Sequence, residues 1–426
     1  MFHAFRNVRL PMTRSLALAV AGLLQTAVLV TAQNSSAAEK SPEISRTIAK
    51  EMTAAQKALQ AGQWQEALKN LDAAAEKSGI TPFDKKTIFD FKGFADVRLN
   101  KLKDAEENYE QALATGQYTA EEAAKTKRTL FRLAAGNQQY AKALDYGKQV
   151  SDAGDANADD LLVMAQLYYL QKDCKNTTQW ADKAIASAKK AGDAPKETLY
   201  QFKLQCASDA GDNAAMASVL IDLIKLTNKT NYWNTLLRIE RQDERDDHNL
   251  LMIYRVMYDT NSMTAGSDYM EMAQLLGDAA LPGEAQTVLQ RGVAAGLFSD
   301  PKDKDRSTRL LNALGTRADA DKKGQAQFDA EATKNPAGEL DVKLGEVYFG
   351  TGDYQNAVTA ISRGLQKGQI KHLDEAYVYL GESEAQLKDF AAAKKAFAGL
   401  KTVPNISPPL LNVWELYADK VGSPQT

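Results

Sequence analysis

The chain has 426 residues, of which 44% are hydrophobic and 25% are charged. This length exceeds one ordinary globular core and, at roughly 150 residues per domain, predicts two or three domains or an extended array. The net charge of −3 is mildly acidic, which argues against nucleic acid or an anionic membrane surface as a partner. Three histidines and two cysteines are too few for a zinc-rich or disulfide-rich framework.

Residues 1–32 have the features of an export signal. Basic residues precede an apolar stretch from Leu16 to Ala32, and the first acidic residue is Glu39. Small residues before Gln33 and Glu39 suit cleavage by a signal peptidase. An uncleaved membrane anchor is the alternative, because the apolar run is at the short limit of a membrane span. In both cases we expect the rest of the chain outside the inner membrane, in the periplasm of a Gram-negative cell.

The remainder of the chain divides by composition into three predicted segments. Residues 33–47 contain almost no apolar side chain and are expected to form a flexible lead-in. Residues 48–404 are rich in alanine, leucine, lysine, glutamate and glutamine in helical patterns, with prolines between the patterns. Residues 405–426 include Ser407 followed by two prolines, which is a suitable helix start.

This final helix has one apolar face and is predicted to close the end of the helical array. The face consists of Leu410, Val413, Trp414 and Tyr417. Asp419 and Lys420 are expected to point outward. An array of stacked helices needs such a cap for solubility, and a docking helix for a partner is the less favoured alternative.

An internal repeat is visible in the segments 342–365 and 377–400. Each segment contains a Leu-Gly pair. An alanine lies twelve residues after the glycine, and an apolar residue lies four residues after that alanine. The corresponding residues are Leu344, Gly345, Ala357 and Ile361 in the first segment, and Leu380, Gly381, Ala393 and Phe397 in the second. Small residues at the glycine and alanine positions allow two helices to approach closely, with the apolar residues filling the seam.

The repeat resembles the tetratricopeptide repeat (TPR) family, in which a helical hairpin recurs about every 34 residues. The resemblance implies an all-α, right-handed solenoid, since one hairpin cannot bury its apolar face and must stack on its neighbours. The alanine position, followed along the chain, predicts about ten hairpins and the C-terminal capping helix. These positions are Ala67, Ala105, Ala143, Thr177, Met216, Leu250, Ala285, Ala326, Ala357 and Ala393.

The resemblance also implies a concave groove, formed by the first helix of each hairpin, that binds a peptide or a partner domain. The register places two groups of charged residues on this side. The basic group is Arg98, Lys125, Arg128 and Arg132, and the acidic group is Glu339, Glu346, Glu375 and Glu382. We predict that the groove is basic toward its start and acidic toward its end. An ordinary solvated helix face is the alternative for each group.

No catalytic constellation is recognisable in the sequence. It lacks the serine nucleophile elbow, the phosphate-binding loop, the zinc-protease motif and the glycine-rich dinucleotide loop. His248 lies in the charged run 244–248 and His372 in a turn between repeats, so we expect both to be solvated. The prediction is a protein that is not an enzyme and has no cofactor and no metal site.

The two cysteines are predicted to form a disulfide bond. Cys174 is expected at the turn of the fourth hairpin, and Cys206 in the later half of the first helix of the fifth. Stacked hairpins bring these places together, and an exported protein can keep such a bond oxidised. Two buried or free thiols are the alternative.

The predicted function is that of a noncatalytic periplasmic scaffold whose groove holds a protein or peptide partner, and we expect this partner to be a cell-envelope protein. In layout the chain resembles exported TPR proteins that accompany TonB/ExbB/ExbD-type transport systems. Others of this kind serve polysaccharide secretion or outer-membrane assembly. A module that binds a glycan or a small molecule is the alternative. Membrane contact is expected only through the signal or anchor segment.

Overall fold

The computed structural model describes residues 43–242 and 244–425, and all regular secondary structure within these ranges is helical. The predicted signal segment and most of the predicted lead-in lie outside the described residues. The chain divides into two compact units between Lys203 and Leu204. None of the helices in the described ranges has the length and the apolar character that a membrane crossing requires.

The first unit consists of helices that pack in consecutive pairs. These helices are α1 (Ala49–Gln60), α2 (Trp64–Ala75), α3 (Pro82–Arg98), α4 (Leu102–Ala114), α5 (Ala120–Gly136), α6 (Tyr140–Asp152), α7 (Ala158–Leu170) and α8 (Cys174–Ala191), and the boundary between the units falls in α9 (Glu197–Ala210). Each odd-numbered helix from α1 to α7 packs most closely on the helix that follows it. Short turns join the two, so each pair is an antiparallel hairpin.

The second unit begins within α9 and repeats the hairpin packing several times. Its further helices are α10 (Asn213–Thr227), α11 (Thr230–Gln242), α12 (Asp247–Asp259), α13 (Gly266–Asp278), α14 (Pro282–Ala294), α15 (Pro301–Lys334), α16 (Glu339–Gly350), α17 (Tyr354–Lys367), α18 (Leu373–Gln386), α19 (Phe390–Ala398) and α20 (Pro408–Lys420), with a short 3₁₀ helix, Gly399–Thr402, after α19. Close pairs are α13 with α14, α16 with α17, and α18 with α19. The all-α hairpin architecture predicted from the sequence is confirmed.

Side-chain caps start the first helix of three successive hairpins. Thr81, Thr119 and Asn157 each accept a hydrogen bond from the backbone N–H three residues later, and the acid at that position accepts one in return. Such capping boxes satisfy N–H groups that an α-helix leaves unpaired at its start. The three caps recur at the same 38-residue interval as Ala67 and Ala105, so the sequence repeat is also a repeat of helix starts.

Small residues bring the two helices of a hairpin into close contact, as the repeat predicts. A Cβ added at Gly345 would lie 2.3 Å from Ile361 Cγ1, and one added at Gly381 would lie 2.4 Å from Phe397 Cε1. Both distances are far inside van der Waals contact. The alanine positions of the repeat are fully buried at Ala67, Ala105, Ala143, Ala285, Ala357 and Ala393. At these six positions the seam between the helices is therefore filled as the spacing indicates.

The structure differs from the prediction at the hairpin expected around Ala326. The segment Pro301–Lys334 is one uninterrupted helix, α15, and Ala326 is exposed on it. Only four of its residues are buried, namely Ser307, Leu314, Ala318 and Ala332. The segment contains no proline after Pro301 and is rich in residues with high helix propensity, so nothing forces a turn. A spacing match without turn residues was not enough to specify a hairpin.

The C-terminal helix α20 buries its predicted apolar face. Trp414 and Tyr417 lie against the ring of Phe397 in α19, with centroid distances of 5.4 and 5.5 Å. The helix also contacts α10, α11 and α12. Lys420, which was expected to point outward, donates a hydrogen bond to the backbone oxygen of Lys225 at 2.7 Å. The last helix of the second unit is thus held by the unit's first helices as well as by α19.

Candidate functional site

A polar cavity of about 620 Å³ lies in the second unit. Residues from α12, α14 and α15 line it, together with the turn between α16 and α17 and the end of α18. Its wall includes the charged side chains of Arg255, Asp259, Glu284, Arg291 and Glu382. Charged residues of both signs therefore line one partly open cavity.

Arg255 is the central cation of this wall and is 2% exposed. Its Nε and Nη2 donate to Oε1 and Oε2 of Glu284, each at 3.2 Å. Nη2 also donates to the hydroxyl of Tyr379, which in turn donates to Glu284 at 2.5 Å. Nη1 has no hydrogen-bond partner among the described residues. The guanidinium is thus fixed by two neighbours, and one of its donor groups has no partner among the described residues.

Asp259 and Glu382 place two neighbouring carboxyl groups at the same cavity. Oδ2 of Asp259 and Oε1 of Glu382 are inaccessible and accept no hydrogen bond from any described residue. Burial raises the pKa of both carboxyl groups above the usual range. The charge of Glu284 adds to the rise at Asp259, where a hydrogen bond from Tyr417 opposes it, and the charge of Asp259 adds to the rise at Glu382. Two carboxyl groups placed in this way favour a shared proton or a donor supplied by a ligand.

The predicted acidic group lies mostly inside the second unit. Glu346, Glu375 and Glu382 are all buried, which solvated groove residues would not be. Lys343 bridges two of them, at 3.0 Å from Glu346 and 3.2 Å from Glu375. The fourth member, Glu339, accepts a hydrogen bond from the backbone N–H of Lys371 at 2.7 Å. These acids form part of an internal charge network instead of an open acidic surface.

The predicted basic group is engaged by partners within the first unit. Arg128 and Arg132 both reach the buried carboxylate of Asp160. Lys125 pairs with Glu121, one helical turn earlier, at 2.6 Å. The remaining member, Arg98, lies over the rings of Trp64 and Phe94, at 5.6 and 5.3 Å. Lys125 and Arg98 are exposed, whereas Arg128 and Arg132 are only half-exposed.

The two histidines of the described chain come together, although both were expected to be solvated. His248 and His372 are half-buried, and their ring centroids lie 5.1 Å apart. Nε2 of His248 is 2.6 Å from Asp374 Oδ2, and its Nδ1 is 3.3 Å from Glu375 Oε1. Hydrogen bonds with Asp374 and Glu375 raise the pKa of His248 to about 10. The expectation of solvated histidines was therefore wrong.

Sequence reasoning missed both the cavity and the histidine pair because their members are far apart along the chain. His248 and Asp374 are separated by 126 residues, and no local spacing links them. Cys174 is the first residue of α8, and Cys206 lies in α9. The part of the chain that the structure describes contains no free cysteine. The predicted bond between these two residues stays a prediction, which alkylation can test.

No protein-family model and no curated protein sequence matches the chain. Similar solved structures include a tetratricopeptide repeat protein from Parabacteroides merdae, with 12% identity, coverage of 87% of this chain and 99% of that chain, and a TM-score of 0.34. The TPR domain of P58(IPK) matches with 13% identity, coverage of 88% of this chain and 98% of that chain, and a TM-score of 0.23. A chain in the structure of Naa15/Naa10 bound to HypK matches with 15% identity, coverage of 84% of this chain and 59% of that chain, and a TM-score of 0.38.

Proposed function

We propose that this protein is a noncatalytic, TPR-like adaptor that binds a polypeptide partner in the polar cavity of its second unit. One observation carries this proposal. Among the described residues, Nη1 of Arg255, Oδ2 of Asp259 and Oε1 of Glu382 have no hydrogen-bond partner, and they belong to residues that line the cavity, so a ligand reaches these inaccessible atoms once the side chains turn toward it. Unsatisfied buried polar groups are costly, so a ligand that supplies their partners gains that free energy on binding.

A polypeptide segment has the complementary groups. Its backbone offers carbonyl acceptors and N–H donors at short, alternating intervals. A carbonyl or a C-terminal carboxylate suits the free donor of Arg255, while an N–H or ammonium group suits Asp259 and Glu382. Ligand sites commonly enclose roughly 300–1,000 Å³, and a cavity of about 620 Å³ accommodates a few residues. We therefore expect the partner to insert a chain end or a short loop.

Site-specific photocrosslinking tests this proposal. A photoreactive amino acid is placed at Lys322 or Gln386, which are exposed residues of the cavity rim. The control position is Arg309, which is exposed on the same helix as Lys322 but does not line the cavity. Protein adducts should form from the two rim positions and not from Arg309. Equal adducts from all three positions, or none from any, would contradict partner binding in the cavity.

A matched substitution then links the adducts to the polar wall. Asp259→Asn keeps the side-chain volume and removes the titrating carboxylate, so it should reduce crosslinking at Lys322 while leaving the helical content unchanged. The wild-type protein carrying the same photoreactive residue is the reference. Unchanged crosslinking in the folded variant would mean that Asp259 does not contact the partner.

A small polar molecule or a glycan is the second candidate for the cavity. Aromatic side chains at the wall, namely those of Tyr258, Phe349 and Tyr354, favour it, because ligand sites combine such surfaces with a few polar groups. In this case the rim positions yield no protein adduct, and native mass spectrometry of the purified protein detects a small bound ligand. The two candidates therefore give opposite results in the two measurements.

The proposal includes a location in the periplasm and a partner in the cell envelope. The basic and apolar N-terminal segment supports export, and the layout supports a TonB/ExbB/ExbD-type transport assembly or, alternatively, polysaccharide secretion. Cell fractionation and intact-mass measurement test the location. A periplasmic protein that lacks residues 1–32 or 1–38 agrees with cleavage, and an inner-membrane protein that retains them agrees with the anchor. A cytosolic protein would contradict both.

A further inference from the structure

We propose that His248, His372 and Asp374 form a binding site for a divalent transition-metal ion, and that zinc is the ion that fits it best. The site lies in the second unit, between the first turn of α12 and the start of α18. It is separate from the polar cavity, since none of its three residues lines that space. The sequence had predicted no metal site, because neither histidine belongs to a recognisable ligand motif.

The ligand atoms are already near the separation that a zinc ion requires. One ring nitrogen from each histidine and one carboxylate oxygen of Asp374 all lie within 4.8 Å of one another. Zinc bonds to nitrogen and oxygen are about 2.0–2.2 Å long, and tetrahedral geometry then puts ligand atoms about 3.3 Å apart. The proposal requires that rotation of the side chains closes the remaining difference. All three residues are half-buried, so water or a partner's side chain can reach the fourth position.

The backbone around the ligands is well defined. Asp246 caps α12 by accepting a hydrogen bond from the backbone N–H of Asn249 at 2.9 Å, which fixes the turn that carries His248. His372 immediately precedes α18, and Asp374 lies in its first turn. Two helix starts thus present the three ligands, so the metal-binding groups have rigid supports.

Glu375 supplies the outer contact that metal-bound histidines commonly have. Its Oε1 lies 3.3 Å from Nδ1 of His248, and it is itself paired with Lys343 at 3.2 Å. A carboxylate that accepts a hydrogen bond from one ring nitrogen fixes the orientation of the ring and leaves the other nitrogen for the metal. Here that other nitrogen is Nε2, which faces Asp374 at 2.6 Å.

An ion pair without a metal accounts for only part of this arrangement. A protonated His248 between Asp374 and Glu375 explains the two short contacts, but it assigns no role to His372, whose ring lies 5.1 Å from that of His248. A metal ion explains why the only two histidines of the described chain meet at one carboxylate. Imidazole ligands favour zinc and similar ions, whereas magnesium and calcium prefer oxygen ligands.

The test uses untagged, chelator-treated full-length protein and titrates zinc against a chromophoric indicator. We expect one zinc ion per chain at this site, no competition from magnesium or calcium, and a higher midpoint of thermal unfolding with zinc. Substitution of cobalt for zinc should produce the visible absorption of a four-coordinate ion. Failure of the wild-type protein to bind zinc would overturn the proposal.

Variants of the ligands separate this site from adventitious binding. His372→Gln and Asp374→Asn should each weaken zinc binding by at least tenfold, and Glu375→Gln by about 10–100-fold through loss of ring orientation. The control is Asp247→Asn, because Asp247 is exposed and adjacent to His248 but outside the ligand set. His372→Gln leaves the contacts of His248 with the carboxylates intact, so it tests the site even if the other variants fold poorly. Equal zinc affinity of His372→Gln and wild type would refute the proposal.

Discussion

Arg132 in α5 donates to Oδ1 of Asp160 in α7, from Nε at 2.9 Å and from Nη2 at 2.5 Å. Arg128, one helical turn earlier, reaches the other carboxylate oxygen at 3.0 Å. Asp160 also accepts a hydrogen bond from the backbone N–H of Asn157 and completes the capping box of α7. Its side chain is only 2% exposed. One buried carboxylate therefore joins two hairpins of the first unit and starts a helix.

Charge reversal should consequently have unequal effects along the predicted basic stripe. Arg132→Glu would place a second negative charge beside the buried Asp160 and remove its strongest partner, at a cost of about 3–5 kcal/mol in the free energy of unfolding. Lys125→Glu changes an exposed residue and should alter stability by less than about 1 kcal/mol. Denaturant unfolding of the two variants measures the difference. Equal, small effects would show that the buried ion pair contributes little to the fold.

The repeat pattern predicted the hairpins well because it describes contacts between residues close together in the chain. Glycine and alanine spacing specifies how α16 approaches α17, and capping residues specify where a helix starts. The same spacing could not show that Glu346 and Glu375 are buried. Whether a helix face meets solvent depends on which other helices pack across it, and a pattern within one helix does not contain that information. For this reason these acids were predicted to line the partner-binding groove, with a solvated helix face as the alternative.

Glycine substitutions test the hairpin contacts directly. Gly381→Ala would place a methyl group 2.4 Å from the Phe397 ring, and Gly345→Ala would place one 2.3 Å from Ile361. Each should destabilise the protein by about 1–3 kcal/mol through overpacking. The control is Gly324→Ala in α15, where an added Cβ meets no atom within 4 Å.

Gly324→Ala should stabilise the protein by up to about 1 kcal/mol, because alanine has the higher helix propensity. Thermal unfolding of the three variants gives the comparison. If the two hairpin variants unfold at the same temperature as Gly324→Ala, the close helix contacts do not exist in solution.

The cysteine pairing is tested by alkylation of the native protein. We expect Cys174 and Cys206 to resist alkylation until a reductant is added, with one disulfide per chain. A bond between them would close a loop of about 30 residues and stabilise the folded state by about 3–4 kcal/mol. The double variant Cys174→Ser, Cys206→Ser should be less stable than the native protein by that amount. The native protein should lose the same stability only when a reductant is added. Rapid alkylation of both thiols in protein prepared without reductant would disprove the bond.

Asp90 in α3 provides a pH-dependent test of the first unit. Burial raises the pKa of its carboxyl group to about 6, although Tyr118 donates a hydrogen bond to it and Lys86 lies 3.6 Å away. In the unfolded chain the same group has a pKa of about 3.9. Between these values the folded state binds more protons than the unfolded state, so the contribution of Asp90 to stability falls as the pH rises and becomes constant above the folded pKa.

The variant Asp90→Asn lacks this titration and serves as the reference. As the pH is lowered from about 8 to about 4, the free energy of unfolding of wild type should rise by up to about 3 kcal/mol relative to that of the variant. Urea unfolding measures this difference. Tyr118→Phe removes a hydrogen bond that lowers the pKa of Asp90, so it should move the transition to higher pH. Parallel stability curves for wild type and Asp90→Asn would show that Asp90 ionises normally in the folded protein. A shift of the transition to lower pH in Tyr118→Phe would instead show that the tyrosine hydroxyl favours the protonated carboxyl.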